Sequence, residues 1–198
     1  MEEVESCFGR TREIGDKSFK DFLNEKYPEY YKSLLRRDNQ DNLVSVIEVK
    51  RLGVILTSLE DSAHADSLAV LRVRDIDRAD RLKIILNALS HLGKSYDFDF
   101  DFTTDNYLVC SELIYKSYLG IEKLNIEPVE LNARLMFSPN QFAEKFANEF
   151  DSKRGELHLV LFLDGNEKTR KAIEKKSEAF KETWKRPKWH IAKDYIGD

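Results

Sequence analysis

Gly93-Lys94-Ser95-Tyr96-Asp97-Phe98, followed after a polar interval by Leu108-Val109-Cys110-Ser111-Glu112-Leu113-Ile114-Tyr115, is the stretch on which the reading of this chain turns. The cysteine stands between a polar, aromatic loop and a segment with helical spacing. Leu113, Ile114, Ser117 and Tyr118 fall on one face of that segment, and Gly120 is a natural end. A sulfur placed there faces the helix N-terminus, whose partial positive charge favours thiolate over thiol. That is a common way to activate a cysteine nucleophile. The alternative is a buried structural thiol, cysteine being among the most buried residue types. Position alone leaves both open.

Working upstream, residues 77–92 carry an apolar stripe of Ala79, Leu82, Ile85, Leu86 and Leu89, with Gly93 as the stop. Three β-rich segments precede it: 43–49, 53–57 and 68–73. Their short connections predict an antiparallel meander. Residues 17–35 read as a helix interrupted at Pro28. Downstream, Ser138-Pro139 opens a helix bearing Phe142, Phe146 and Phe150. Leu157 to Leu163 reads as a last strand, and Lys168 to Trp184 as a charged helix. The class is α+β, a small antiparallel sheet packed with helices. We expect one domain over residues 1–198, with a helical extension over 164–198.

The 198 residues suffice for a sizeable core, and the absence of repeats or linkers supports a single domain. Thirty-two basic against 36 acidic residues give a net charge of −4, which does not point to nucleic acid. No apolar run approaches the about 20 residues of a membrane span. Met-Glu-Glu-Val-Glu lacks the basic start of a signal peptide, so a cytoplasmic protein is expected. Two cysteines, Cys7 and Cys110, do not make a disulfide framework.

Glu48 lies inside an apolar strand, where a carboxylate is costly unless paired. It reads either as the orienter of a catalytic imidazole or as a salt-bridge partner of Arg51 or Arg72. His64 sits in a polar turn and is the candidate base. His91 reads as a helix-end histidine placed by the dipole. His158 falls in a strand and His190 in the tail. Asp97, Asp99, Asp101 and Asp105 fail the calcium-loop pattern, having neither the central glycine nor the closing glutamate. Their alternation with Phe98, Phe100 and Phe102 predicts an extended strand with one buried face. No metal and no cofactor are expected. Trp184, Lys185, Arg186, Lys188 and Trp189 form a basic, aromatic tail that reads either as a packed segment or as a contact for a membrane surface or acidic ligand.

The Gly93–Phe98 and Leu108–Tyr115 blocks resemble the permuted papain-like amidases of the NlpC superfamily, the YaeF/YiiX type. In that family a Gly-Lys-Pro-Tyr-Asp element precedes a Cys-Ser/Thr-Glu-Leu-Val/Ile-Tyr helix start; here Ser95 stands for the proline. The resemblance covers residues 43–118 and continues weakly to Leu163-Asp164-Gly165. It implies a circularly permuted papain-like fold and a cysteine hydrolase acting on an amide or ester. Cys110 maps onto the nucleophile and Glu48 onto the polar third member, while Tyr96, Asp97 and Ser111 would line the substrate pocket. The substrate would be a small-molecule, lipid or peptide acyl compound. Phe8-Gly9-Arg10-Thr11-Arg12-Glu13 resembles the end of the strand that bears the family histidine. On that reading the N-terminal part of the fold is truncated just downstream of that histidine. His64 would then substitute, or the chain would be an inactive pseudoenzyme that keeps the fold as a ligand-binding module.

Overall fold

A computed structural model describes residues 17–131, 133–166 and 168–186. Two compact units emerge, one from residues 1–65 and 73–137, the other from 66–72 and 138–198. The hexapeptide Phe8–Glu13 and the distal half of the basic tail lie outside the described residues.

In the first unit, α1 (Phe19–Lys26) and α2 (Pro28–Leu34) flank the predicted break at Pro28. Ser18 caps α1 by accepting from the Asp21 N–H. Phe19, Phe22 and Leu23 meet Leu82 of α4 (Arg78–Leu89) in a buried cluster. Asp77 caps α4. Strands β1 (Val44–Lys50) and β2 (Gly53–Ser58) form an antiparallel ribbon, with Glu48 opposite Ile55 and Val49 opposite Val54. The short α3 (Leu59–Ser62) leaves β2 directly, capped by Ser58. Val49 and Val54 pack with Leu108 and Leu113, and Ile47, Leu92 and Tyr96 adjoin them. Side chains alternate along a strand, so Glu48 stands on the opposite face of the ribbon.

The predicted three-strand meander does not form. β3 (Leu68–Val73) leaves the ribbon and joins β8 (Leu157–Asn166) and β9 (Lys171–Glu174) in the order β3-β8-β9, while β6 (Val129–Leu131) and β7 (Arg134–Met136) pair as a separate antiparallel hairpin. The connection length permitted a hairpin, but length does not choose a partner. Gly165 marks this junction in the second unit: its N–H donates to Ser67 Oγ at 3.0 Å. A β-carbon on Gly165 would lie 1.8 Å from the Asp66 carbonyl oxygen.

The expected helix over 168–184, and with it the part of the helical extension over 164–198 that lies in 164–166 and 168–186, is also corrected. Residues 164–166 continue β8, and 171–174 are β9. Among the described residues of this stretch only α7 (Ser177–Lys181) and a 3₁₀ turn (Thr183–Lys185) are helical. Phe180 explains the arrangement. It stacks edge-on against Phe146 of α6 (Pro139–Asn148) at 5.2 Å and against Phe162 of β8 at 5.3 Å, so tertiary burial overrides the helical propensity of the charged stretch.

The start of the basic tail is packed. Arg186 grips buried Asp164 with two hydrogen bonds, 2.6 and 2.9 Å, and Lys175 adds a third at 2.7 Å. The Arg186 bonds, aided by Lys175, hold the Asp164 carboxyl down to about 2 from its ordinary 3.8. A carboxyl with a lowered folded value stabilises the fold above its unfolded value and loses that contribution as it is protonated. The contribution is therefore complete above pH 3.8 and falls away as pH drops through about 2. It amounts to about 2 kcal/mol. Urea unfolding as a function of pH should show this acid loss in the native chain and a flatter profile in Asp164→Asn.

Gly53 gives a second expected outcome. Its φ is +106°, and an added β-carbon would lie 2.1 Å from the Lys94 carbonyl oxygen. Gly53→Ala should lower stability by about 3 kcal/mol or more, read as a fall in the urea midpoint.

Candidate active site

The backbone delivers Cys110 by a short ladder. The Val54 N–H donates to Lys94 O at 2.8 Å, and the Gly93 N–H returns to Val54 O at 2.9 Å. That docks residues 93–94 on the ribbon. β4 (Ser95–Tyr96) continues and pairs in parallel with β5 (Tyr107–Leu108). Leu108 is fully buried and Val109 nearly so. Cys110 then opens α5 (Cys110–Ser117) as predicted. Cys110 is a free, exposed thiol, while Val109, Ser111, Glu112 and Leu113 around it are buried. The buried-cysteine alternative is thereby excluded. Ile114, expected on the inner face, is instead exposed.

The loop between β4 and β5 is not the extended strand that the Asp–Phe alternation predicts. Asp97 is buried, and its Oδ1 and Oδ2 accept the N–H groups of Asp99 at 2.8 Å and Asp101 at 2.7 Å. One carboxylate thus folds the chain back on itself. Phe100 takes the left-handed conformation, φ 56°. Phe98 and Phe100 are exposed beside Tyr96, and only Phe102 is buried, against Tyr115. A local side-chain-to-backbone turn has outcompeted the strand. Among the described residues no group of three or more His, Cys, Asp or Glu is placed to hold a metal ion.

Val109 is an unusual N-cap, because it has no side-chain oxygen to offer the first turn. One half of a capping box is nevertheless made: Glu112, three residues on, accepts the Val109 N–H at Oε2, 3.4 Å away. Glu112 is completely buried. Its Oε1 lies 3.0 Å from Lys116 Nζ, a charge contact without hydrogen-bond alignment. Lys116 Nζ donates to Thr104 O and Asp105 Oδ1, both at 2.6 Å. Burial pushes the Glu112 carboxyl upward, against Lys116 and the Val109 amide. Burial pulls Lys116 down, but Asp105 and Glu112 outweigh it and hold the cation.

Glu48 is engaged at Oε1 by Thr57 Oγ1 at 2.5 Å, Ser62 Oγ at 2.8 Å and Lys50 Nζ at 3.1 Å. Burial acts to raise its carboxyl, but these three donors prevail and lower it. The partner is Lys50, not Arg51 or Arg72 as sequence suggested. Lys50 also reaches Asp61 at 2.6 Å. His64 is exposed and lines a cleft with Arg36, Asp38, Thr57 and Glu60. Thr57, which donates to Glu48, also lines the cleft that His64 borders, and neither Glu48 nor His64 is hydrogen-bonded to Cys110. His91 lies just past α4, and its Nδ1 is buried without a hydrogen-bond partner. Burial, then Lys94 and Lys116, depress its proton affinity. That is the opposite of the dipole-stabilised cation expected at a helix end. Tyr96 is half-buried, while Asp97 and Ser111 are buried.

An exposed cysteine at the first turn of a helix, docked on an antiparallel ribbon, is the arrangement of a papain-like protein. Residues 15–190 match the family described as permuted papain-like amidase enzymes, YaeF/YiiX, C92, and the chain belongs to that family. One solved structure that it resembles is the metalloprotein YiiX from Escherichia coli O157:H7. The two share 17% identity over 72% of this chain and 78% of that one, with a TM-score of 0.38. No curated protein matches the chain. No helix among the described residues is long and apolar enough to cross a membrane.

The Asp97 turn generates a direct expectation. In Asp97→Ala, amide hydrogens of Asp99 and Asp101 should exchange about tenfold faster or more, while those of β1 and β2 keep their rates. Hydrogen–deuterium exchange with peptide-level mass spectrometry reads both.

Proposed function

We propose that this chain is a thiol hydrolase that cleaves an amide or ester bond with Cys110 as the nucleophile. The observation that carries this reading is the solvent-facing Cys110 thiol at the first position of α5, amid buried neighbours. The amides of the first turn of α5 lack a side-chain cap, so they can receive the oxyanion of a tetrahedral intermediate. The thiolate attacks the carbonyl carbon, the C–N or C–O bond breaks, and water then releases the acyl group from sulfur. In this reading the candidates to move the proton and orient the imidazole are His64 and Glu48; neither is hydrogen-bonded to Cys110, and Glu48 stands on the ribbon face opposite Leu113, so turnover requires His64 to be carried to the sulfur. The three donors on Oε1 fix the Glu48 carboxylate, and Oε2 takes none of them. Tyr96 contributes to the substrate side of the site, with Asp97 and Ser111 shaping the loop and helix start behind it. The substrate is a small-molecule, lipid or peptide acyl compound, and no cofactor or nucleic-acid partner enters the reaction. The family match runs through both units, which supports reading residues 1–198 as a single papain-like domain. A cytoplasmic setting fits the thiol chemistry.

A second reading rests on one observation. Among the described residues of the first unit, neither His64 nor His91 makes a hydrogen bond to Cys110. That favours a protein that keeps the fold to bind a ligand without turning it over.

Alkylation by iodoacetamide as a function of pH, followed at Cys110 with Cys7 as the internal control, tests the nucleophile. Cys110 should label about tenfold faster or more than Cys7 at equal pH. Hydrolysis of p-nitrophenyl acetate separates the two readings. Turnover lost in Cys110→Ser and reduced about tenfold or more in His64→Gln and Glu48→Gln would fit the hydrolase. A reactive thiol with no turnover would fit the binding module. Labelling of Cys110 that matches Cys7 would sink the nucleophile assignment.

A further inference from the structure

Glu112 has no part in the chemistry above, yet it is wholly buried two residues after the nucleophile. A carboxylate in that position is expensive unless every contact has a purpose. Oε2 accepts the Val109 N–H at 3.4 Å, and Oε1 lies 3.0 Å from Lys116 Nζ. Lys116, one turn further along α5, holds Thr104 O and Asp105 Oδ1. Glu112 and Lys116 therefore secure both the residue immediately before Cys110 and the loop that leads to it. Val109 offers the helix no cap of its own, so this contact from Glu112 is the side-chain restraint on the entry to α5.

We propose that Glu112 is a positioning residue for Cys110: its carboxylate holds the Val109 amide and so fixes where the Cys110 sulfur stands relative to the helix start. This deepens the hydrolase reading and rests on it. The distinction from simple ion pairing is one of reach against charge. Glutamine keeps the length and an acceptor oxygen but loses the charge. Aspartate keeps the charge but falls short of the Val109 N–H. A purely electrostatic role would make Glu112→Gln raise thiolate reactivity, because a nearby anion has been removed. A positioning role leaves Gln close to the native chain and makes Asp the damaging change.

The test is the rate of Cys110 alkylation by iodoacetamide across pH in the native chain, Glu112→Gln and Glu112→Asp, with near-ultraviolet circular dichroism confirming the fold. We expect Glu112→Gln within about threefold of native and Glu112→Asp about tenfold slower or more at pH 7. Urea unfolding of each variant separates a loss of fold from a loss of positioning. Faster labelling in Gln, equal slowing in both variants, or native rates in both would each overturn the proposal. A native chain whose Cys110 labels like Cys7 would instead count against the hydrolase reading, so the two failures are distinct.

Discussion

The close approach of Gly53 to Lys94 is the constraint on which the geometry of the cysteine depends. Backbone meets backbone there, with no room for a side chain between them. Only because the ribbon turn admits residues 93–94 so closely can Val54 donate to Lys94 O and accept from the Gly93 N–H. From that junction the path is determined stepwise. β4 leaves the ribbon, β5 pairs with β4, and α5 starts two residues after Leu108. Apolar burial of Val49, Val54, Leu108 and Leu113 then secures the same arrangement from the other side. Backbone ladder and apolar core agree, and such agreement across levels favours one structure over its competitors.

Much of this was legible in the residue pattern because the decisive signals are local. Pro28 divides two helices, Ser138-Pro139 starts another, and Cys110 begins a third. The block around Cys110 is specific enough to have implied the family that the comparison bears out. What escaped was set by partners distant in sequence. β3 chose β8 over the ribbon, and Phe180 drew the charged C-terminal stretch into a strand and a short helix. The Asp–Phe alternation misled for another reason. Period-two spacing is the signature of a strand, but a buried aspartate that can reach two amides ahead offers the backbone a competing solution.

The candidate site was legible in part. The exposure of Cys110 could not be read from its neighbours, which are buried almost without exception. The hydroxyl partners of Glu48, Thr57 and Ser62, come from β2 and α3 and could be paired with it only once the register was known. Glu112 and Lys116 carried a visible signal in their i,i+4 spacing. Such pairs are usually solvated and weak, and only burial makes this one consequential.

The Asp97 turn separates the path of a loop from its surface. One inward carboxylate turns the chain back, while Phe98 and Phe100 are exposed beside Tyr96. Substitution at those two positions can therefore change what is displayed beside Tyr96 without re-routing the chain. A lineage carrying this device can diversify its recognition surface while the scaffold beneath stays constant, so variation among relatives should concentrate at the two phenylalanines and spare the aspartate.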